Sequence, residues 1–183
     1  MLAHFDFDKT LQASAYLLKK ANEPMKYIKL LKLLYLADKE MLLTYGIVIT
    51  CDQYCAMPHG PVLSRTYDLI KGVSLPESPA WNAYIEKIGK YFVNLTSDPG
   101  TEWLSEVDIE TLDHVYEQYG SWGSKKIEIF THEFPEWKNR PAAIRTSVPF
   151  TPIDILRENG KENIIPVYQE HIDIAKDLEW LNS

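Results

Sequence analysis

The sequence is poor in the residues from which metal centres and disulfide crosslinks are built. It has two cysteines, Cys51 and Cys55, and five histidines among 183 residues. Structural zinc usually needs four ligands in paired short spacings, and no second pair accompanies Cys51, Cys55 and His59. On one strand the two cysteines would face the same side, too far apart to bridge. We therefore expect no metal and no other cofactor, and this cysteine usage predicts a reducing, cytoplasmic location.

Motifs for phosphate binding and membrane insertion are also missing. The eight glycines form neither a Walker loop nor a dinucleotide-binding fingerprint, so a backbone cradle for phosphates is absent. No stretch approaches the roughly 20 uninterrupted apolar residues of a membrane helix. The first residues lack the cationic start and apolar run of a signal peptide. The sequence therefore predicts a soluble protein without a membrane partner.

A catalytic nucleophile cannot be assigned from the sequence. Either cysteine could pair with a histidine such as His59, His114 or His132, but neither lies in a glycine-framed nucleophile motif. The apolar stripe of the predicted last helix contains Val167, Ile174, Leu178 and Leu181, and His171 falls on it, where we expect a histidine in the core. We therefore predict that the protein is not an enzyme. A hydrolase using Cys55 or His132 stays as an alternative.

Positive charge is in deficit, with 19 basic against 26 acidic residues and a formal net charge of −7. Proteins that grip nucleic acid through its phosphates usually present a basic face, because each contact releases counterions. The acidic balance therefore argues against nucleic acid as a partner. It suits a basic protein partner, whose encounter complementary charge would steer.

Hydrophobic periodicity and capping residues predict a mostly helical chain. The predicted helices are 8–22 (N-cap Asp8), 25–45 (ended by Gly46), 62–70, 105–119 (opened by a Ser105–Asp108 capping box), 124–131, 153–159 and 166–181. Strands are predicted over 47–57 and, as a hairpin, over 84–95; turns and loops fill 58–61, 73–80 and 134–152. This pattern predicts a single domain over 1–183 of the α+β class, predominantly α: a helical core with a small inserted β-sheet or hairpin.

One carboxylate falls inside an apolar stripe. Asp38 lies between Leu34 and Met41 on the face of the second predicted helix. A buried carboxylate costs several kcal/mol unless it is paired or hydrogen-bonded. We therefore predict that Asp38 is a structural polar anchor, holding the loop that carries His59 and Arg65; a partner-binding pocket is the alternative.

Three segments, in this order, resemble a known family. They are the helix Lys29–Asp38, ending Tyr-Leu-Ala-Asp; the segment Met57–Val62, reading Met-Pro-His-Gly-Pro-Val; and Tyr119-Gly120 followed by Thr131-His132-Glu133 and Pro135-Glu136-Trp137. The set resembles the Panacea domain of SocA-like antitoxins, which also occurs in phage and mobile-element proteins. The resemblance covers about residues 8–159, and the helix at 166–181 follows it.

The resemblance implies an antitoxin of a toxin–antitoxin system, which neutralises a cognate toxin, encoded by an adjacent gene, by binding it directly. It also implies an alternative, in which the protein is an adaptor that delivers the toxin to a protease. An aromatic-rich segment containing Phe134 and Trp137 is typical of an interface core. The residues that we predict to bind the partner are His59, Gly60, Pro61, Arg65, Tyr67, Thr131, His132 and Trp137.

A DNA-binding regulator is a further alternative. In it the helix over 62–70 would enter a groove of the DNA, and the strands over 84–95 would form a wing. That helix offers only Arg65, with Lys71 beside it, as positive groups for the phosphates. The sequence therefore favours the protein-binding hypothesis.

Overall fold

The computed structural model describes residues 5–181 of the chain, with side chains up to residue 178. Its α-helices are α1 (Phe7–Ala21), α2 (Tyr27–Tyr45), α3 (Ser64–Lys71), α4 (Ser78–Tyr84), α5 (Glu106–Tyr119), α6 (Ser124–His132), α7 (Pro135–Lys138), α8 (Pro152–Glu158) and α9 (Ile165–Leu181). Its strands are β1 (Met25–Lys26), β2 (Tyr54–Met57), β3 (Gly60–Leu63), β4 (Ile85–Ile88), β5 (Phe92–Leu95) and β6 (Val148–Phe150). Short 3-10 turns cover Pro141–Ile144 and Glu162–Ile164. The predicted class, α+β with mostly helix, is confirmed.

Helix α2 runs through the middle of the fold. Twelve of its 19 residues are buried, including all of 30–39, because α1, α5, α6 and β3 pack around it. Gly46 ends it in the left-handed region at φ +72, which confirms the predicted stop. The predicted start at Met25 is wrong by two residues: Met25 and Lys26 are extended and pair with β5.

The first helix begins earlier than predicted. Its N-cap is Asp6, whose side chain accepts a hydrogen bond from the backbone N–H of Lys9. Asp8, the predicted cap, instead lies in the first turn, where a carboxylate also favours the helix dipole. The later capping box is confirmed, since Ser105 and Asp108 bond to each other's backbone N–H at the start of α5.

One antiparallel sheet, in the order β3–β2–β6, lies against α2 and α6. The predicted strand over 47–57 is wrong in its first half, which is a loop; Cys51 there has φ +49, so the two cysteines do not share a strand. Only the two residues Pro58 and His59 form the turn to β3. Gly60 and Pro61, predicted to leave regular structure, and Val62, predicted to open a helix, belong to β3.

The other antiparallel sheet, in the order β1–β5–β4, confirms the hairpin predicted over 84–95. Its inner face buries Met25, Ile85 and Val93. On its outer face the paired residues Ile88 and Phe92 are 40% and 38% exposed. Such a two-faced sheet is ordinary for antiparallel strands, which need covering on one side only.

Two segments predicted as loops contain regular structure. Helix α4 starts within 73–80, and its Trp81 is buried. The segment 134–152 contains α7, a 3-10 turn and β6, which pairs with β2. Strand β6 depends on a partner far earlier in the chain, so local sequence patterns did not indicate it.

The C-terminal helices lie close to their predicted positions. Helix α8 has a Thr151–Asp154 capping box, and α9 runs from Ile165. The expectation of a core histidine at position 171 is wrong, because His171 is exposed. Ile174 on the same helix is 50% exposed, so its apolar stripe faces outward rather than into the core. The side chain of Leu181, predicted on this stripe, lies outside the described residues.

Candidate functional site

The β2–β3 hairpin rests on a buried lysine. The Lys32 side chain is fully buried, and its ammonium donates to the carbonyl of Pro61 at 2.6 Å. Burial lowers the pKa of Lys32 from 10.5 to about 7. Gly60 adopts φ +93, and a Cβ there would lie 2.7 Å from Lys32 Nζ and 2.8 Å from Thr131 Oγ1. The Gly-Pro pair therefore allows the strand to approach α2 and α6 more closely than a side chain would permit.

Helices α6 and α7 hold the other side of the hairpin. Trp137 Nε1 donates to the carbonyl of Met57 at 2.9 Å. The rings of His132 and Trp137 stack with centroids 4.0 Å apart. His132 Nε2 is buried and has no hydrogen-bond partner among the residues that the structure describes, and burial lowers the pKa of this histidine. The ring is therefore held mainly by stacking.

The motif Pro135-Glu136-Trp137 also contains a buried anchor that the sequence did not indicate. Glu136 is fully buried and accepts bonds from Lys39 Nζ at 2.7 Å and from the Tyr35 hydroxyl. Asn159 donates to its second oxygen at 3.1 Å. Since these groups come from α2 and from the end of α8, Glu136 fixes α7 between them.

Asp38 is fully buried, as predicted, but it holds a different segment. It accepts hydrogen bonds from the backbone N–H groups of Ile49 and Thr50, and from the Tyr54 hydroxyl at 3.0 Å. Burial raises its pKa to about 6, against the opposing effect of these hydrogen bonds. The predicted link between Asp38 and the loop of His59 and Arg65 is wrong. The carboxylate oxygens of Asp38 are occupied by the backbone N–H groups of Ile49 and Thr50 and by the Tyr54 hydroxyl.

Asp52, not Asp38, holds the segment at Arg65. It is buried, and its two oxygens accept the backbone N–H groups of Arg65 and Thr66, each at 2.9 Å. Asp52 therefore caps the first turn of α3 through space. Asp52 does not lie in an apolar stripe, so the sequence did not indicate that it is buried or that it holds the start of α3.

Two of the predicted partner-binding residues lie away from the hairpin turn. The Arg65 guanidinium pairs with Glu77 at 2.6 Å and lies over the ring of Phe5. Tyr67 packs edge-on against Tyr27, with centroids 6.3 Å apart. The structure thus brings together His59, Gly60, Pro61, Thr131, His132 and Trp137, whereas Arg65 and Tyr67 lie on α3.

His59 is the exposed member of the hairpin group. Its side chain is 69% exposed, and its Nδ1 lies 3.2 Å from Glu128 Oε1, which also accepts from Lys125 at 2.9 Å. Burial acts to raise the pKa of Glu128, but these two hydrogen bonds outweigh it and lower the pKa. Glu128 is therefore a paired carboxylate at the edge of an open surface.

Beside His59 lies an open groove between the β4–β5 hairpin and helix α6. A pocket of about 220 Å³ at its His59 end is lined by Lys26, Tyr27, Ile28, His59, Tyr91, Ser124 and Glu128. A second pocket of about 410 Å³ shares Lys26 and Ser124 with the first and is lined further by Glu23, Lys29, Phe92, Tyr116, Trp122 and others. We call these two adjoining pockets the aromatic groove. The sequence did not indicate it, because Lys26, Tyr91 and Ser124 are distant along the chain.

The described residues offer little to metal or nucleophile chemistry. No group of three or more His, Cys, Asp or Glu side chains between residues 5 and 178 is placed to hold a metal ion. Burial raises the pKa of Cys51 to about 12, so its thiol stays protonated at neutral pH, and Cys55 is buried. Within the described part of the chain, no helix is long and apolar enough to cross a membrane.

Comparison with known families agrees with the resemblance. The family described as "Antitoxin SocA-like, Panacea domain" matches residues 30–138, which is more than half of the chain. No curated protein and no solved structure gives a significant match. The matched span is narrower than the predicted 8–159, but it includes all three segments from Leu30 onward to Trp137. The chain therefore belongs to the family of antitoxin SocA-like Panacea domains.

Proposed function

We propose that this protein is an antitoxin that neutralises a toxin encoded by an adjacent gene by binding it directly, and that it acts without catalysis. Family membership suggests the antitoxin-like role. The observation that supports binding most directly is the aromatic groove, an open surface with several aromatic side chains on a rigid support. Interfaces are enriched in such side chains.

The rigidity of the support comes from the buried contacts below it. Lys32, Thr131 and Trp137 fix the hairpin that presents His59 at the groove. A surface that is already ordered loses little conformational entropy when a partner binds. In this proposal Gly60, Pro61, Thr131, His132 and Trp137 position the surface, His59 contacts the toxin, and Tyr67 supports Tyr27. Arg65, which is paired with Glu77, stabilises α3.

We further propose that the chain is one domain. The buried apolar cluster extends from Leu11 in α1 to Tyr168 in α9 and includes residues of both sheets. A single core of this kind is what defines a domain.

The test is co-expression with the neighbouring gene product. The wild type should restore growth and co-purify with the toxin. Tyr91→Ala/Phe92→Ala should abolish both, whereas Trp103→Ala/Ile144→Ala, which changes two even more exposed apolar residues outside the groove, should abolish neither. Circular dichroism would show that both variants fold. A neighbour that is harmless when expressed alone would contradict the proposal.

The same strains separate neutralisation from the adaptor alternative. If the protein acts by direct binding, growth is restored equally in cells that lack their ATP-dependent cytoplasmic proteases, and the toxin accumulates in the complex. If the protein is an adaptor, growth is restored only where the protease is present, and a pulse-chase shows faster loss of the toxin.

A DNA-binding regulator is less well supported. The β4–β5 hairpin does exist, with Lys87 and Lys90 exposed on it. However, α3 buries Thr66, Leu69 and Ile70, so few of its side chains remain free to read a DNA groove. Tight, salt-dependent binding to the protein's own promoter would favour this alternative.

A further inference from the structure

Most lysines around the aromatic groove have no acidic partner among the described residues; the exception is Lys125, which lines the groove and pairs with Glu128 at 2.9 Å. Among the residues that the structure describes, five of them have no carboxylate oxygen within 4.0 Å: Lys26, Lys29, Lys71, Lys90 and Lys126. Four contact neutral groups instead, such as the carbonyl of Gly120 for Lys29 and the ring of Trp122, 3.6 Å away, for Lys126. Their charge is therefore available to a partner.

Several lysines elsewhere on the protein are neutralised, whereas the exposed Lys87 and Lys161 have no ion pair among the described residues. Lys19, Lys138 and Lys176 each form an ion pair with a carboxylate. The chain as a whole carries a net charge of −7. The groove is thus a local basic region on an acidic protein, the reverse of what the total charge suggests.

Aromatic rings lie between these charges. The rings that line the groove are Tyr27, Tyr91, Phe92, Tyr116 and Trp122. We infer that the groove binds an acidic segment of the partner protein, in which carboxylates alternate with aromatic or aliphatic side chains. This inference rests on the proposed function and specifies the chemistry of the toxin surface that the antitoxin recognises.

The net negative charge of the whole protein favours an acidic peptide over a nucleic acid as the occupant of the groove. Screening limits the reach of a charge to about 8 Å at physiological ionic strength, so a short acidic segment would sense only the lysines beside it. A polynucleotide would extend beyond the groove and meet the acidic remainder of the surface. Glu23 and Glu128 at the groove would also repel a continuous row of phosphates.

Charge reversal tests the inference, with the product of the adjacent gene as the probe. Lys26→Glu/Lys90→Glu should weaken toxin binding about tenfold or more and reduce its dependence on salt, because two attractive contacts become repulsive. The matched control is Arg157→Glu/Lys161→Glu, which reverses two exposed cations that lie outside the groove and form no ion pair within the described part of the chain. The control should bind like the wild type.

Carbodiimide crosslinking of the wild-type complex should join Lys26 or Lys90 directly to carboxylates of the toxin. Changing those toxin carboxylates to lysine should then restore binding to Lys26→Glu/Lys90→Glu. Equal losses in the groove variant and the control, or no loss in either, would overturn the inference while leaving the proposed function intact. Tighter binding of single-stranded oligonucleotide than of toxin would also overturn it. Failure of the wild type to bind the toxin would instead contradict the proposed function.

Discussion

The two three-stranded sheets of this protein are similar in size but differ in their surroundings. The β3–β2–β6 sheet is enclosed by helices, and Tyr54 on β2 stacks on Phe150 of β6 with centroids 5.7 Å apart. The β1–β5–β4 sheet buries one face and exposes Ile88 and Phe92 on the other. The enclosed sheet therefore contributes mainly to the stability of the fold, and in the proposed function the open sheet presents side chains to a partner. Four predictions test this difference.

The largest expected effect concerns the enclosed sheet. Asp38→Ala should lower the free energy of unfolding by about 4 kcal/mol, because buried donors at Ile49, Thr50 and Tyr54 lose their acceptor. Asp38→Asn, which keeps an oxygen in place, should cost about half as much. Urea denaturation measures both. A loss below about 1 kcal/mol for the alanine variant would contradict the anchoring role.

The next effect depends on pH. The pKa of Lys32 is about 7 in the folded protein and 10.5 when unperturbed, so between these values the unfolded chain binds a proton that the folded chain has released. Stability should therefore rise with pH through this window, by about 1.4 kcal/mol per unit at most.

Lys32→Met should remove this rise. Urea denaturation at pH 7 and pH 9 measures the free energy of unfolding of the wild type and of Lys32→Met. The difference between the two proteins removes the contributions of the other titrating groups, which both share. The same pH dependence in both proteins would contradict the placement of Lys32.

An effect of comparable size is expected at the hairpin turn. Gly60→Ala should cost about 3 kcal/mol, because it combines an unfavourable φ with overpacking against Lys32 and Thr131. Gly72→Ala is the matched control: Gly72 also has positive φ, +79, but its Cβ would meet nothing within 4 Å. It should cost about 1 kcal/mol, through backbone strain alone. Thermal unfolding measures the difference, and equal losses would refute the close approach at Gly60.

The smallest effect on stability is expected on the exposed sheet. Tyr91→Ala should change the free energy of unfolding by no more than about 0.5 kcal/mol, since its side chain is 52% exposed. The same variant should weaken toxin binding about tenfold in a titration of the purified proteins, as loss of an interface aromatic does. Strong destabilisation with unchanged binding would reverse the roles that we assign to the two sheets.

Local signals in the sequence predicted much of the helical framework. Gly46 and the Ser105–Asp108 capping box mark helix ends through contacts within a few residues, so they could be read directly. The burial of Asp38 also followed from its place in an apolar stripe. Its partners did not, because any nearby backbone donor could have satisfied it. Strand β6 was missed, since it exists only by pairing with β2 far earlier in the chain.

The candidate site was predicted in part. The segments around His59 and Thr131–Trp137 do lie together, and family membership follows from the same segments. The groove beside them was not predicted, because Tyr91 and Trp122 carry no motif and come to line its two adjoining pockets only through the tertiary fold.

The sequence by itself determined the helix ends at Gly46 and Ser105, the mostly helical class and the family, because these depend on neighbours along the chain or on residue order. Only the tertiary structure decided which carboxylate holds which loop, that Lys32 lies beneath Gly60, and that unpaired lysines gather around aromatic rings. Those outcomes depend on competition among distant groups for burial, hydrogen bonds and charge partners, which no local pattern records.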